Sequence, residues 1–204
     1  MPVRFVLAAL LLMASPAMFS QVTPAATGGR LQQWSVGAGL SDYNPDLGRG
    51  RMEGGTLWVD YNLNFVPKSF QGIGVELEAR DISLNRSSLS LVLREDTAGL
   101  GAAYTWPHSR NFRPYAKFIG GLGNTDYLLG PHRSFHQSRT VLSFGGGFEV
   151  RVYRSLWTRV DYEYQALTDF FLSNSGGHSN GAPLDPQGFT LGAIYHIGRE
   201  HATH

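Results

Sequence analysis

Residues 73–80 read Ile-Gly-Val-Glu-Leu-Glu-Ala-Arg. Ile73, Val75, Leu77 and Ala79 alternate with Gly74, Glu76, Glu78 and Arg80. A helix would wind this pattern around its circumference, whereas a strand sends successive side chains to opposite faces. The period of two therefore predicts a β-strand with one apolar and one charged face.

Seven further segments repeat the pattern. Trp34, Val36, Ala38 and Leu40 oppose Gln33, Ser35, Gly37, Gly39 and Ser41, and Leu57, Val59, Tyr61 and Leu63 oppose Trp58, Asp60 and Asn62. Ala98, Leu100, Ala102 and Tyr104 oppose Thr97, Gly99, Gly101 and Ala103, and Pro114 to Leu122 set Ala116, Phe118 and Gly120 against Tyr115, Lys117, Ile119 and Gly121. Leu142, Phe144, Gly146, Phe148 and Val150 oppose Ser143, Gly145, Gly147, Glu149 and Arg151. Thr158, Val160, Tyr162, Tyr164 and Ala166 oppose Trp157, Arg159, Asp161, Glu163 and Gln165, and Phe189, Leu191, Ala193, Tyr195 and Ile197 oppose Thr190, Gly192, Ile194 and His196.

The connections alternate in length. Pro67–Gln71, Pro107–Asn111 and Tyr153–Ser155 read as short turns, and Asp42–Met52, Asp81–Ser90, Asn124–Gln137 and Thr168–Asp185 as long loops rich in Gly, Asn, Ser and Asp. An even number of strands with short turns on one rim and long loops on the other predicts an all-β, eight-stranded antiparallel up-and-down barrel over residues 31–198. Ahead of it, Arg4 and the apolar run Phe5–Met13, followed by Ser15-Pro16, read as a signal peptide over residues 1–20 with cleavage after Ser20. Residues 21–30 form a leader and 199–204 a short tail. The run is too short to span a bilayer as a helix, and no later segment is long and apolar enough.

Composition narrows the function classes. The 204 residues contain 25 glycines, no cysteine, and 17 basic against 16 acidic side chains, with only 16% charged. Near-neutral balance removes nucleic acid as the default partner. The missing cysteine excludes a disulfide framework, thiol catalysis and Cys-ligated metal.

Two barrels share this periodicity. A soluble lipocalin-like carrier turns its apolar face inward, and a membrane barrel turns it outward. Four features select the membrane. Glycine crowds the polar face, where it makes room inside a narrow barrel. Charges on that face carry both signs, as a filled interior requires. Phe65, Phe70, Trp106, Phe112, Tyr153 and Trp157 gather beside the short turns, with Trp34 and Tyr195 on the terminal strands, as an interfacial girdle would. Fifteen of the 17 basic residues are arginine, the better partner for crowded carboxylates or phosphates.

Near the end of the last segment, Thr190-x-Gly192-x-x-Tyr195-x-Ile197 resembles the polar-x-Gly-x-x-aromatic-x-hydrophobic signal by which bacterial outer-membrane barrels engage their insertion machinery. With the signal peptide and eight segments, the chain resembles the small eight-stranded outer-membrane β-barrels of OmpA-transmembrane-domain and OmpX type. It departs from their pattern in placing Gly198–His204 after Ile197 rather than ending on an aromatic residue. The resemblance implies residence in the outer membrane of a Gram-negative cell, periplasmic termini, extracellular long loops and contact with lipopolysaccharide.

Candidate chemistry follows from the polar face. Asp60, Glu76, Glu78, Arg80, Lys117, Glu149, Arg151, Arg159, Asp161 and Glu163 are expected to form an ion-pair network that fills the lumen, with a narrow ion path as the alternative. His132, Arg133, His136 and Arg139 give the third loop a basic edge suited to lipopolysaccharide phosphates. An enzyme reading rests on His178-Ser179-Asn180 with Asp185, which faintly resembles the lipid A deacylase motif. Adjacent His and Ser diverge on a strand, so a solvated loop is the better reading. No histidine pair has metal-ligand spacing in a suitable element, and Gly145–Gly147 precede no helix, so no metal or cofactor is expected. The expectation is a monomeric, non-enzymatic envelope component. The alternatives are a lipid-A-modifying enzyme, a small pore and a soluble lipophile carrier.

Overall fold

The computed structural model describes residues 31–45, 50–67, 70–86, 91–106, 111–129, 134–168 and 185–197. Eight strands follow one another in chain order: β1 (Trp34–Asn44), β2 (Met52–Asn62), β3 (Ile73–Arg86), β4 (Leu91–Thr105), β5 (Phe112–Leu129), β6 (Ser134–Tyr153), β7 (Leu156–Thr168) and β8 (Gln187–Ile197). Each pairs antiparallel with its neighbours, and β1 closes onto β8 through Trp34 opposite Ile197 and Leu40 opposite Leu191. Closure leaves no sheet edge, so every strand satisfies its backbone within the wall, the condition for crossing a bilayer with strands.

The apolar face points outward. Leu40 and Leu57 are 78% and 62% exposed, and Leu77, Leu100, Leu122, Phe144 and Phe189 also lie on the outer surface. Glu76, Arg80, Lys117, Arg159 and Glu163 are buried inside. This orientation is the reverse of a soluble carrier's and decides between the two barrels. Outer-face aromatics stack across strands, with Phe118 on Phe144 at 4.9 Å and Phe112 on Phe148 at 5.5 Å between ring centroids.

Trp34, Phe65, Phe70, Trp106, Phe112, Tyr153 and Tyr195 are exposed on the short-turn side of the wall. Trp157 is a correction to the expected girdle: it is fully buried in the lumen, and Leu156 takes the outward position beside the turn. The two-residue turn Arg154-Ser155 shifts the register between Arg151 and Tyr153, with Arg154 at φ 39°.

Two of the expected long loops are also corrected. β3 runs on to Arg86 and β4 begins at Leu91, while β5 runs on to Leu129 and β6 begins at Ser134, so most of 81–90 and 124–137 is strand. Along these extensions the alternation continues but its chemistry inverts. On β3, Leu77 and Ala79 face out and Glu78 and Arg80 face in. One step further, Asp81 and Ser83 face out and Ile82 and Leu84 are buried. Tyr43, Met52, Ile82, Leu84 and Leu93 form a dry cluster above the charged layer. Polar turn-type residues on the outer face made these stretches read as loops, although they are the outer side of a wall whose interior is mostly apolar.

Candidate functional site

The lumen is occupied by side chains from opposite walls. Arg80 on β3 donates to both carboxylate oxygens of Glu163 on β7, at 2.9 and 3.1 Å, and to Thr56 Oγ1 at 3.1 Å. It also pairs with Glu78, and its guanidinium lies 4.3 Å from the Tyr43 ring centroid. Lys117 on β5 reaches Asp161 at 2.5 Å, Glu163 at 2.8 Å and Glu76 at 3.4 Å, and also pairs with Glu78. Arg159 on β7 grips both oxygens of Glu76 at 2.9 and 2.8 Å, lies 3.4 Å from Asp60, and donates to Tyr115 Oη at 2.8 Å. Its guanidinium stacks on Trp58 and Tyr115, at 4.9 and 4.3 Å from their ring centroids.

Three cations thus hold five carboxylates in a dry layer. The Arg80 fork meets the Glu163 carboxylate at two points, whereas Arg159 brings one nitrogen, Nη2, to both oxygens of Glu76; such charge-assisted bonds offset the desolvation of buried ions. Glu78, Asp161 and Glu163 converge closely enough to resemble a metal site. The ammonium of Lys117 pairs with all three, so their convergence is explained by an organic cation already in place.

The glycines explain how so much fits. A Cβ at Gly37 or Gly192 would overlap the Trp58 indole, and one at Gly145 would stand 3.2 Å from Lys117 Cε and 3.3 Å from Glu163 Cγ. Gly192 was read from the sequence as part of an insertion signal. In the barrel it also forms half of the slot for Trp58. Thr190 is buried and meets the Ser41 hydroxyl at 2.8 Å, while Tyr195 and Ile197 are exposed to the outside.

Not every expected network residue joins the central layer. Glu149 sits nearer the short-turn end, 3.3 Å from His196 Nε2. Arg151 stands near the end of β6, beside the turn, where it donates to the Arg154 carbonyl at 2.7 Å and lies 5.8 Å from the Trp157 ring centroid. Arg113, one residue ahead of the alternating segment that begins at Pro114, stacks 4.1 Å from the Trp157 centroid and lies 3.5 Å from Gln32 Oε1. Here a small cavity of about 20 Å³ is lined by Asp60, Glu76, Arg113, Glu149, Arg159 and His196 among others. Tyr43, Trp58, Tyr115 and Gln165 are further lumen residues with no catalytic signature in sequence. For the last three, position on the polar face was the available signal.

Of the expected basic loop edge, His136 and Arg139 lie on β6, opposite Asp126 and Gly123, and Arg139 shares the lumen-side alternation of Val141 and Ser143. This corrects their assignment to a loop. His132 and Arg133, the deacylase-like His178-Ser179-Asn180, the signal peptide, the leader and the tail lie outside the described residues.

The family model described as outer membrane protein beta-barrel domain matches residues 5–196. No curated protein matches the sequence. Among solved structures, neisserial surface protein A is similar over 80% of this chain and 96% of its own, at 13% identity and a TM-score of 0.60. Ail, the attachment invasion locus protein of Yersinia pestis, is similar over 79% and 95%, at 20% identity and a TM-score of 0.51. The structure of Ail in complex with the heparin analogue sucrose octasulfate is similar over the same shares, at 18% identity and a TM-score of 0.50.

Proposed function

The chain belongs to the family of outer membrane β-barrel domains, and from that premise we propose that it is a non-enzymatic envelope component whose work is done at its extracellular surface, on lipopolysaccharide or a similarly anionic sugar. The observation that carries this reading is the filled lumen: Lys117, Arg80 and Arg159 tie β3, β5 and β7 together through five carboxylates, which makes the interior a plug and turns attention to the rim. Exposed Arg51 and Arg94, paired with Asp42 and Asp81, stand on the outer face near that rim, and Arg133 lies between β5 and β6. Guanidinium groups there can exchange a carboxylate partner for a phosphate or sulfate of the same geometry. That Ail was crystallised with a sulfated sugar supports the same ligand chemistry here.

Calorimetric titration of the folded protein with lipopolysaccharide, and separately with sucrose octasulfate, tests the proposal. The triple variant Arg51→Glu, Arg94→Glu, Arg133→Glu is expected to lose at least tenfold in affinity for both. Unchanged affinity, or no binding by the parent protein, refutes the reading.

A further inference from the structure

The inversion of both faces along β3 has a counterpart on its neighbours. Leu57, Ala79, Ala98 and Leu122 are successive register partners on β2 to β5, and all are outward and apolar or small. Two residues further from the short turns, the partners are Gly55, Asp81, Asp96 and Asn124, continued by Ser138 on β6, whose hydroxyl donates to Asn124 Oδ1 at 2.6 Å. The next row holds Glu53, Ser83, Arg94 and Asp126. Inside, the same step passes from Glu78 and Arg80 to Ile82, Leu84 and Leu93, with Glu95 the one buried acidic side chain opposite Ile82. Along β2–β5 a wall that is apolar outside and charged inside becomes one that is polar outside and, apart from the buried carboxyl of Glu95, mostly apolar inside, with no break in the strands.

The length fits a bilayer. On β5 the outward apolar run extends from Phe112 to Leu122, ten steps at about 3.3 Å. A tilt of 35–45° turns this into roughly 23–27 Å along the membrane normal, against the ~25 Å apolar band of such barrels. Asn124–Leu129 then continue the same strand beyond it.

We infer that the outer-leaflet headgroup layer begins at the step from Ala79 to Asp81 and from Ala98 to Asp96, and that the wall beyond it is a collar standing in hydrated lipid headgroups around its own dry core. The partner of the lower outer face is acyl chain. The partner of the upper face is the polar, phosphate-bearing headgroup layer, which meets Asp81, Ser83, Arg94 and Asp96 edge-on. The inference rests on the family's membrane setting and not on the ligand reading above, so failed lipopolysaccharide binding leaves it standing.

A chain without cysteine permits clean single-site labelling. Nitroxide labels at Leu77→Cys, Ala79→Cys, Asp81→Cys and Ser83→Cys, and at Leu100→Cys, Ala98→Cys, Asp96→Cys and Arg94→Cys, are placed in the full protein refolded into phosphatidylcholine vesicles. Heat-modifiable gel migration selects folded samples. Relaxation by dissolved oxygen is expected to exceed that by a water-soluble nickel chelate at 77, 79, 98 and 100, and to fall below it at 81, 83, 94 and 96. Oxygen dominance persisting at 81 and 83, or at 94 and 96, overturns the inference, as does nickel dominance at 77 or 100. The two strands report independently, so loss of one variant leaves the other series decisive.

Discussion

Arg80 on β3 and Glu163 on β7 meet at two points across the lumen, at 2.9 and 3.1 Å, although 83 residues separate them in sequence. Both side chains are only 1% exposed. Two walls of the barrel are therefore joined through its centre as well as around its circumference.

Removing one member strands a buried charge. Arg80→Met is expected to destabilise the folded protein by about 3–5 kcal/mol, and Arg80→Met with Glu163→Leu by less than the sum of the single changes. Urea unfolding in vesicles, followed by tryptophan fluorescence, measures both. Additive losses would show that the pair is not an energetic unit.

Lys117 is the hub of four carboxylates on two strands. Lys117→Met leaves them facing one another and is expected to lose several kcal/mol of stability, part of which Glu78→Gln restores by removing one negative charge. In planar bilayers the parent protein is expected to give no steady current. A stable open conductance in the parent would contradict the plug.

Gly192 has two candidate reasons for its identity, the insertion signal and the Trp58 slot. Gly192→Val would push against both the Ala38 carbonyl oxygen and the indole, an overpacking expected to cost about 1–3 kcal/mol. If the slot contributes, Trp58→Ala in the same chain relieves the indole contact, though not that with the Ala38 carbonyl, and recovers part of the heat-modifiable migration. If the signal alone matters, the second substitution restores nothing.

Arginine scanning of the outer face gives an energetic reading of depth. Leu77→Arg on the apolar belt is expected to cost roughly 2–4 kcal/mol, and Ser83→Arg on the same strand about 0–1 kcal/mol, by equilibrium unfolding in vesicles. Equal penalties would mean that the two positions share one environment.

Much of this molecule is written into period two. Ile73–Arg80 alone declares a strand with a charged face, and eight such segments with alternating short and long connections lead to a closed antiparallel barrel. The glycine and mixed charge on one face already indicated which side is inside, because a narrow lumen needs space and neutrality. Asp60, Glu76, Glu78, Arg80, Lys117, Arg159, Asp161 and Glu163 were all identifiable as lumen residues by parity.

Pairing, height and exceptions came only with the tertiary structure. Alternation assigns a side chain to a face but not to a partner, so that Arg80 takes Glu163 while Arg159 takes Glu76 depends on the stagger of β3 against β7 across the barrel. Trp157 follows the parity of Arg159 and Asp161 into the lumen, so its nearness to the turn, the reason to expect it in the girdle, was the misleading signal. The collar escaped the sequence for a different reason. Asp81, Ser83, Arg94 and Asp96 are polar because they have left the hydrocarbon, not because the strand has ended, and polar residues on the outside of a strand are indistinguishable from a loop until the packing of Tyr43, Met52, Ile82, Leu84 and Leu93 behind them is seen.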